Sequence, residues 1–183
     1  MLVTFDLPLR NDADAEELFE HVLFDPGSSH ETERLKEQLK DINIDAVFVS
    51  HGHSDHVGAL SAVPNALYCV GRDISRLDEY REVSVKPSEM VNTRLISFTG
   101  SNDERIEWIT TPGHTGHCCT LMLYGVDEYG TVALVGDLWD EREDEDFWRD
   151  LSELPEVQAK SRQFILSLKP DLIVPGHGAP FKP

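Results

Sequence analysis

The chain has 183 residues, 40% of them hydrophobic and 27% charged, the proportions of a soluble globular protein with enough material for one sizeable core. Its formal charge of −18 sets up a field that repels polyanions, which argues against a general nucleic-acid binder but not against a nuclease that carries divalent cations at the point of contact. Apolar runs fall short of the roughly 20 residues of a membrane helix, the opening MLVTFDLPLR carries no signal-peptide pattern, and Cys69, Cys118 and Cys119 lack a disulfide-scaffold spacing and read as reduced, packed thiols.

In chain order, LVTFDLP reads as an opening strand and NDADAEEL as an acidic connection or short helix. HVLFDPGSS predicts a strand ending at Asp25, turned by Pro26-Gly27. Ser28 followed by Glu31 makes a capping-box pattern in front of a helix whose inner face carries Leu35 and Leu39. DAVFVS is a short buried strand, and a brief helix is expected from His56 towards Leu60. ALYCV predicts a strand, and SRLDEYREVSVKPSE a short helix and surface loop. RLISF, RIEWITT, CCTLMLYG and GTVALVG are four further β-type runs, the last two forming a hairpin across VDEY. EVQAKSRQFILSLKP is an amphipathic helix with Phe164, Ile165 and Leu168 inward, and DLIVPGHG closes the chain with a strand and a turn. Strands outnumber helices and the long helices fall early and late, so a layered α/β fold is expected.

The stretch VFVSHGHSDHVGAL places three histidines and an aspartate within six positions. On extended or loop backbone His51 and His53 point the same way and can grip one ion, while Asp55 and His56, where the chain turns, can face a second. Three more metal-ligand types end apolar strand runs: His114 in TTPGHTGH, Asp137 in ALVGDLWD and His177 in IVPGHG. Strand ends opening onto loops are where a rigid scaffold presents functional side chains. A water shared by two divalent ions loses its proton near neutral pH, which supplies a hydroxide nucleophile. Metal-bound imidazoles need partners to fix their tautomers, and Asp25, Ser50 and Thr115 are candidates. His21 and His30 read as surface residues, and His117 as a possible pocket-lining one. Phe147 and Trp148 anchor the acidic run DEREDEDFWRD or touch a neighbour.

HGHSDH, TPGHTGH, VGD and PGHG, in this order, resemble the metallo-β-lactamase superfamily, from about residue 20 onward. The resemblance implies a four-layer αββα sandwich with a dinuclear metal site at one rim. It implies that His51, His53 and His114 hold the first ion, that Asp55, His56 and His177 hold the second, and that Asp137 bridges both, with Asp55 also orienting the nucleophile or passing a proton. It implies that Asp25 orients the metal-binding loop. Zinc is the expected metal, with iron or manganese as alternatives.

A single domain over residues 1–183 is expected, with residues 1–24 either a shortened N-terminal part or the boundary of an excised domain. Asp137 stands where β-lactamases of the cysteine type carry Cys, and His53 where the oxygen-reducing di-iron branch carries Glu. Glyoxalase II resembles this pattern in ligands but adds a C-terminal helical region. Within the superfamily, HGHSDHVGAL, GDLWDEREDEDFW and VPGHGAPF resemble a compact branch. That likeness implies an endoribonuclease acting on the 3′ ends of histone precursor messenger RNA, a homodimer of the cytosol or nucleus with no membrane association. A small-molecule ester or thioester hydrolase is the second reading, and a metal-binding or signalling protein without turnover is the third.

Overall fold

The computed structural model describes residues 1–11, 18–76, 79–81, 93–100, 104–142 and 147–183, with backbone alone for 2–11, 18, 76 and 79–81. β1 (Leu2–Asn11) and β2 (Leu18–Phe24), the two strands read from LVTFDLP and HVLFD, pair antiparallel; most of the acidic connection lies outside the described residues. After Phe24 the chain passes through a 3-10 turn into α1 (Thr32–Leu39). The expected capping box does not form: Ser28 makes no side-chain cap, because the 3-10 turn at Ser29–Glu31 absorbs the start and only the Glu31 N–H to Ser28 carbonyl bond, 3.0 Å, is left. β3 (Ala46–Val49) delivers the histidine stretch, and α2 (Ser54–Val57) begins within it, two residues earlier than expected.

β4 (Leu67–Val70) follows as read. The start of SRLDEYREVSVKPSE, expected to enter a short helix, instead contributes to two strands, β5 (Asp73–Arg76) and β6 (Glu79–Arg81). The buried Ile74 opposite Cys69 explains the first of them, since an inward apolar residue in a polar run docks β5 beside β4 on the existing core, and β6 then pairs with β5. Residues 77–78 and 82–92 lie outside the described set. β7 (Arg94–Thr99), β8 (Arg105–Thr110), β9 (Cys119–Val126) and β10 (Gly130–Gly136) form an antiparallel meander; α3 (Pro155–Ser167) and β11 (Leu172–Pro175) complete the fold.

One continuous ladder runs β11-β10-β9-β8-β7-β1-β2-β3-β4-β5-β6. It folds upon itself, because the largest apolar cluster joins Phe24, Phe48, Leu67 and Cys69 of one half to Phe98, Trp108, Leu121 and Leu134 of the other. Phe48 and Trp108 meet at 5.1 Å between ring centroids. α1 covers the outer face of β2–β4 through Leu35 and Leu39. α3 covers the outer face of the other half through Ile165, with Phe164 and Leu168 packed beside it as expected. The result is the expected four-layer αββα sandwich. Among the described residues no helix is long and apolar enough to cross a membrane.

Candidate metal centre

Each candidate ligand sits just beyond the C-terminal end of a strand. β3 presents His51 to His56, β8 presents His114, β10 presents Asp137 and β11 presents His177. The two halves of the sandwich therefore bring to one rim residues that are far apart in sequence. All seven converge. His51, His53, His114 and Asp137 offer ligand atoms within 4.8 Å of one another, and Asp55, His56 and His177 form a second such group. Asp137 joins them: Oδ2 lies 3.6 Å from His51 Nε2 and 3.3 Å from His114 Nε2, while Oδ1 lies 3.1 Å from His56 Nε2 and 3.5 Å from His177 Nε2. Asp55 Oδ2 is 3.6 Å from His177 Nε2 and 3.7 Å from His56 Nε2. His51, His56, His114 and Asp137 are buried, whereas His53, Asp55 and His177 open to solvent.

The surrounding hydrogen bonds fix the imidazoles. Asp25, with φ of 42°, accepts the Ser50 N–H on Oδ1 at 2.7 Å and the Ser50 hydroxyl on Oδ2 at 2.9 Å. Having donated its only proton, the Ser50 oxygen receives one from His51 Nδ1 at 3.0 Å. His56 Nδ1 donates to Asp25 Oδ2 at 2.8 Å. Both rings thereby carry hydrogen on Nδ1 and turn an Nε2 lone pair towards the cluster. Asp25 and Ser50 touch the histidines as expected; the Thr115 hydroxyl instead meets Cys118 Sγ and the His117 N–H, and so shapes the turn rather than any ring.

The residues fit a divalent cation on their own chemistry. His51 Nε2, His56 Nε2 and Asp137 Oδ1 are buried without a hydrogen-bond partner. His56 Nε2 and Asp137 Oδ1 are close enough at 3.1 Å, yet their geometry does not make a hydrogen bond. His114 Nε2 and His53 Nδ1 approach to 3.1 Å. Ligand atoms of this kind held so near one another suit a cation. Without an ion the cluster distributes charge unevenly. Burial, with His56 beside it, holds His51 neutral down to about 3. For His56 burial opposes the charge, but the Asp137 carboxylate 3.1 Å away and the hydrogen-bonded Asp25 carboxylate outweigh it and raise the ring to about 10. Burial likewise opposes the Asp137 charge, and the charged His56 beside it with the neighbouring imidazoles brings that carboxyl down to about 2.

Glycines and α3 hold the strand-end loops. Gly136 has φ +52°, and a Cβ there would lie 2.2 Å from Ser50 Oγ; at Gly176 it would lie 2.0 Å from Asp137 Oδ1. Gln158 on α3 donates from Nε2 to the Asp137 and Leu138 carbonyls, and Ser161 bonds the Pro112 carbonyl. The sequence reading missed three contributors. Asp140, three residues past Asp137, forms a further ligand group with Asp137 and His177, and its carbonyl accepts the His177 and Gly178 N–H groups. Glu153 accepts the Gly116 N–H at 2.9 Å, and its own N–H bonds the His114 carbonyl. Asp140 stood inside GDLWD and was open to notice; nothing in the sequence linked Glu153 or Gln158 to the site. His117 is exposed, with Nδ1 3.0 Å from Arg72 Nη2. Trp148 is buried, Phe147 exposed, and residues 143–146 of the acidic run lie outside the described set.

Comparison with known proteins agrees with the motif reading. The profile of the metallo-beta-lactamase superfamily matches residues 20–177. "Metallo-beta-lactamase domain-containing protein 1" of Xenopus laevis is 38% identical over 136 residues, 74% of this chain and 54% of the relative. The protein of the same name from Rattus norvegicus is 36% identical over 166 residues, 88% of this chain and 62% of the relative. The chain thus spans little more than half the length of these curated relatives. Among solved structures, an N-acyl homoserine lactone hydrolase with product at its catalytic metal centre aligns with a TM-score of 0.60 at 18% identity, covering 97% of this chain and 92% of that one. A metallo-beta-lactamase homologue from Thermotoga maritima aligns at 0.54 and 20% identity, covering 89% and 83%. At these identities the structural matches speak for the fold.

Proposed function

The chain belongs to the metallo-beta-lactamase superfamily, and from that premise we propose a metal-dependent hydrolase whose substrate is an RNA phosphodiester, as in cleavage at the 3′ ends of histone precursor messenger RNA. Superfamily membership and the His/Asp cluster support the hydrolase. The observation that carries it is the convergence of three buried, unpartnered ligand atoms on His51, His56 and Asp137. The RNA substrate is supported by the likeness of HGHSDHVGAL, GDLWDEREDEDFW and VPGHGAPF to one branch of the superfamily.

In this reading His51, His53 and His114 hold one ion, Asp55, His56 and His177 the other, and Asp137 serves both. Zinc suits imidazole and carboxylate together, and iron or manganese is also compatible. The bound ions supply Lewis acidity and acidify water at the site. Asp25 fixes His51, through Ser50, and His56 in the tautomers that leave Nε2 unprotonated. Asp55, with its side chain 47% exposed, is placed to take a proton on Oδ2 and hand it to solvent. Asp137, buried, keeps its charge against four imidazoles. The exposed edge of His53, Asp55 and His177 is where a substrate enters. We further propose a homodimer of the cytosol or nucleus, checked by light scattering and by cell fractionation.

The charge of −18 favours a second reading, a small-molecule ester or thioester hydrolase, because an RNA enzyme ordinarily offers a basic track. The deciding experiment loads the protein with zinc, iron or manganese, counts metal by elemental analysis, and assays single-stranded RNA beside a glutathione thioester. RNA cleavage lost in His114→Ala is the expected result. Thioester turnover alone establishes the second reading, and a preparation that binds metal without turning over either substrate establishes a non-catalytic protein.

A further inference from the structure

The rim that holds the cluster also carries a cation that faces no carboxylate among the described residues. Arg72 lies just past β4, which runs parallel to β3 and ends beside it. The turn is pinned to the core: the Gly71 N–H donates to the Val49 carbonyl at 2.8 Å, and the Gly71 carbonyl accepts from Trp108 Nε1 at 2.7 Å. Gly71 has φ +54°, and a Cβ there would lie 2.4 Å from the His117 carbonyl oxygen. Arg72 therefore leaves a fixed backbone directly against the turn that presents His114. Its Nη2 lies 3.0 Å from His117 Nδ1. A guanidinium only donates, so His117 Nδ1 accepts and its hydrogen sits on Nε2.

Two features set this arginine apart. Its Nε is buried with no hydrogen-bond partner. Among the described residues no carboxylate is within ion-pair distance of it, whereas Arg34, Arg94, Arg105 and Arg149 each face one. In a chain of charge −18, a guanidinium that leaves a pinned backbone beside the candidate metal centre and faces no described carboxylate is placed for an anion from outside. A guanidinium fork matches phosphate oxygens, and an imidazole N–H adds a further donor.

We propose that Arg72 and His117 form an anion subsite that receives the substrate phosphate next to the reacting linkage; this rests on the phosphodiesterase reading above. Neither residue is a metal ligand in that reading. The subsite serves a strand with several phosphates and gives nothing to a substrate with only one.

The test compares two substrates on the metal-loaded protein: a single-stranded RNA oligomer, and bis(p-nitrophenyl) phosphate, whose single phosphate is the reacting one. Arg72→Met is expected to lower the ratio of kcat/KM for RNA to that for the small diester by about tenfold, mainly through KM, and to reduce the salt slope of RNA binding by about one. Arg72→Lys, which keeps charge but not the fork, is expected to lose less, and His117→Ala, at an exposed position, to shift the ratio in the same direction. An unchanged ratio and salt slope in Arg72→Met and His117→Ala would overturn the proposal. If the wild-type protein hydrolyses thioester and no RNA, the phosphodiesterase reading fails. The subsite is then judged by fluorescence anisotropy with a cleavage-resistant phosphorothioate RNA, where weaker binding by Arg72→Met upholds it and equal binding ends it.

Discussion

The buried floor of the cluster and its open edge are built differently. His51, His56, His114 and Asp137 are each less than a tenth exposed, and the two histidines that follow β3 are wired through Ser50 and Asp25 before any ion arrives. On the open edge, the side chains of Asp55 and His177 are 47% and 52% exposed, and the contacts of the His177 ring are with other members of the cluster. The floor owes its geometry to the protein, while the edge owes much of its order to whatever binds there. On the proposed two-ion reading, the ion beside His51 and His114 is expected to bind first and more tightly.

Variants can break this contrast in order of severity. Asp137→Ala removes the carboxylate that both ligand groups share, and it leaves buried imidazoles facing one another. Hydrolysis should fall by about 10³-fold or more, with metal content lost by elemental analysis. Asp25→Asn should weaken metal binding by about 10- to 100-fold in equilibrium dialysis, and for both equivalents, because one carboxylate serves His51 and His56 together. His177→Ala should spare the tighter equivalent and change unfolding free energy by no more than about 0.5 kcal/mol in denaturant melts, as befits an exposed ring. Strong loss of the first equivalent in His177→Ala would erase the distinction between floor and edge.

The gentlest probe lies just behind the floor. Burial pushes the Cys118 thiol up to about 11, and it also raises the fully buried Cys119 well above the usual thiol range. The thiolate is the reactive form, so alkylation of the native protein should be negligible near neutral pH and should climb as pH approaches 11. Denaturant at pH 8 should release all three thiols at once. Rapid native labelling at neutral pH would show that the wall behind His114 opens readily.

The sequence was legible where chemistry is local. Three histidines and an aspartate in six positions cannot all be surface accidents, and a single His or Asp after an apolar run is visible without coordinates. The wiring was partly legible, since Asp25 and Ser50 lie on strand ends that the motif already marked, but Thr115 turned towards Cys118 instead. Strand assignment failed at the start of SRLDEYREVSVKPSE, where a polar run conceals β5 and β6 and the buried Ile74 docks β5 beside β4. Ser28 shows the reverse error: a sound capping pattern was made unnecessary by a 3-10 turn. Glu153 and Gln158 support loops 37 and 21 residues away in sequence, and periodicity carries no information about such partners.

β1 pairs with β2 on one side and β7 on the other, so a single strand stitches two wings into one fabric, and the wings fold face to face about it. The histidines after β3 belong to one wing; His114, Asp137 and His177 belong to the other. A metal held by both sets, as proposed above, would clasp the seam. Removing the ions with a chelator should quicken amide exchange along the rim where the wings meet, while the hydrogen-bonded interior of each wing keeps its protection.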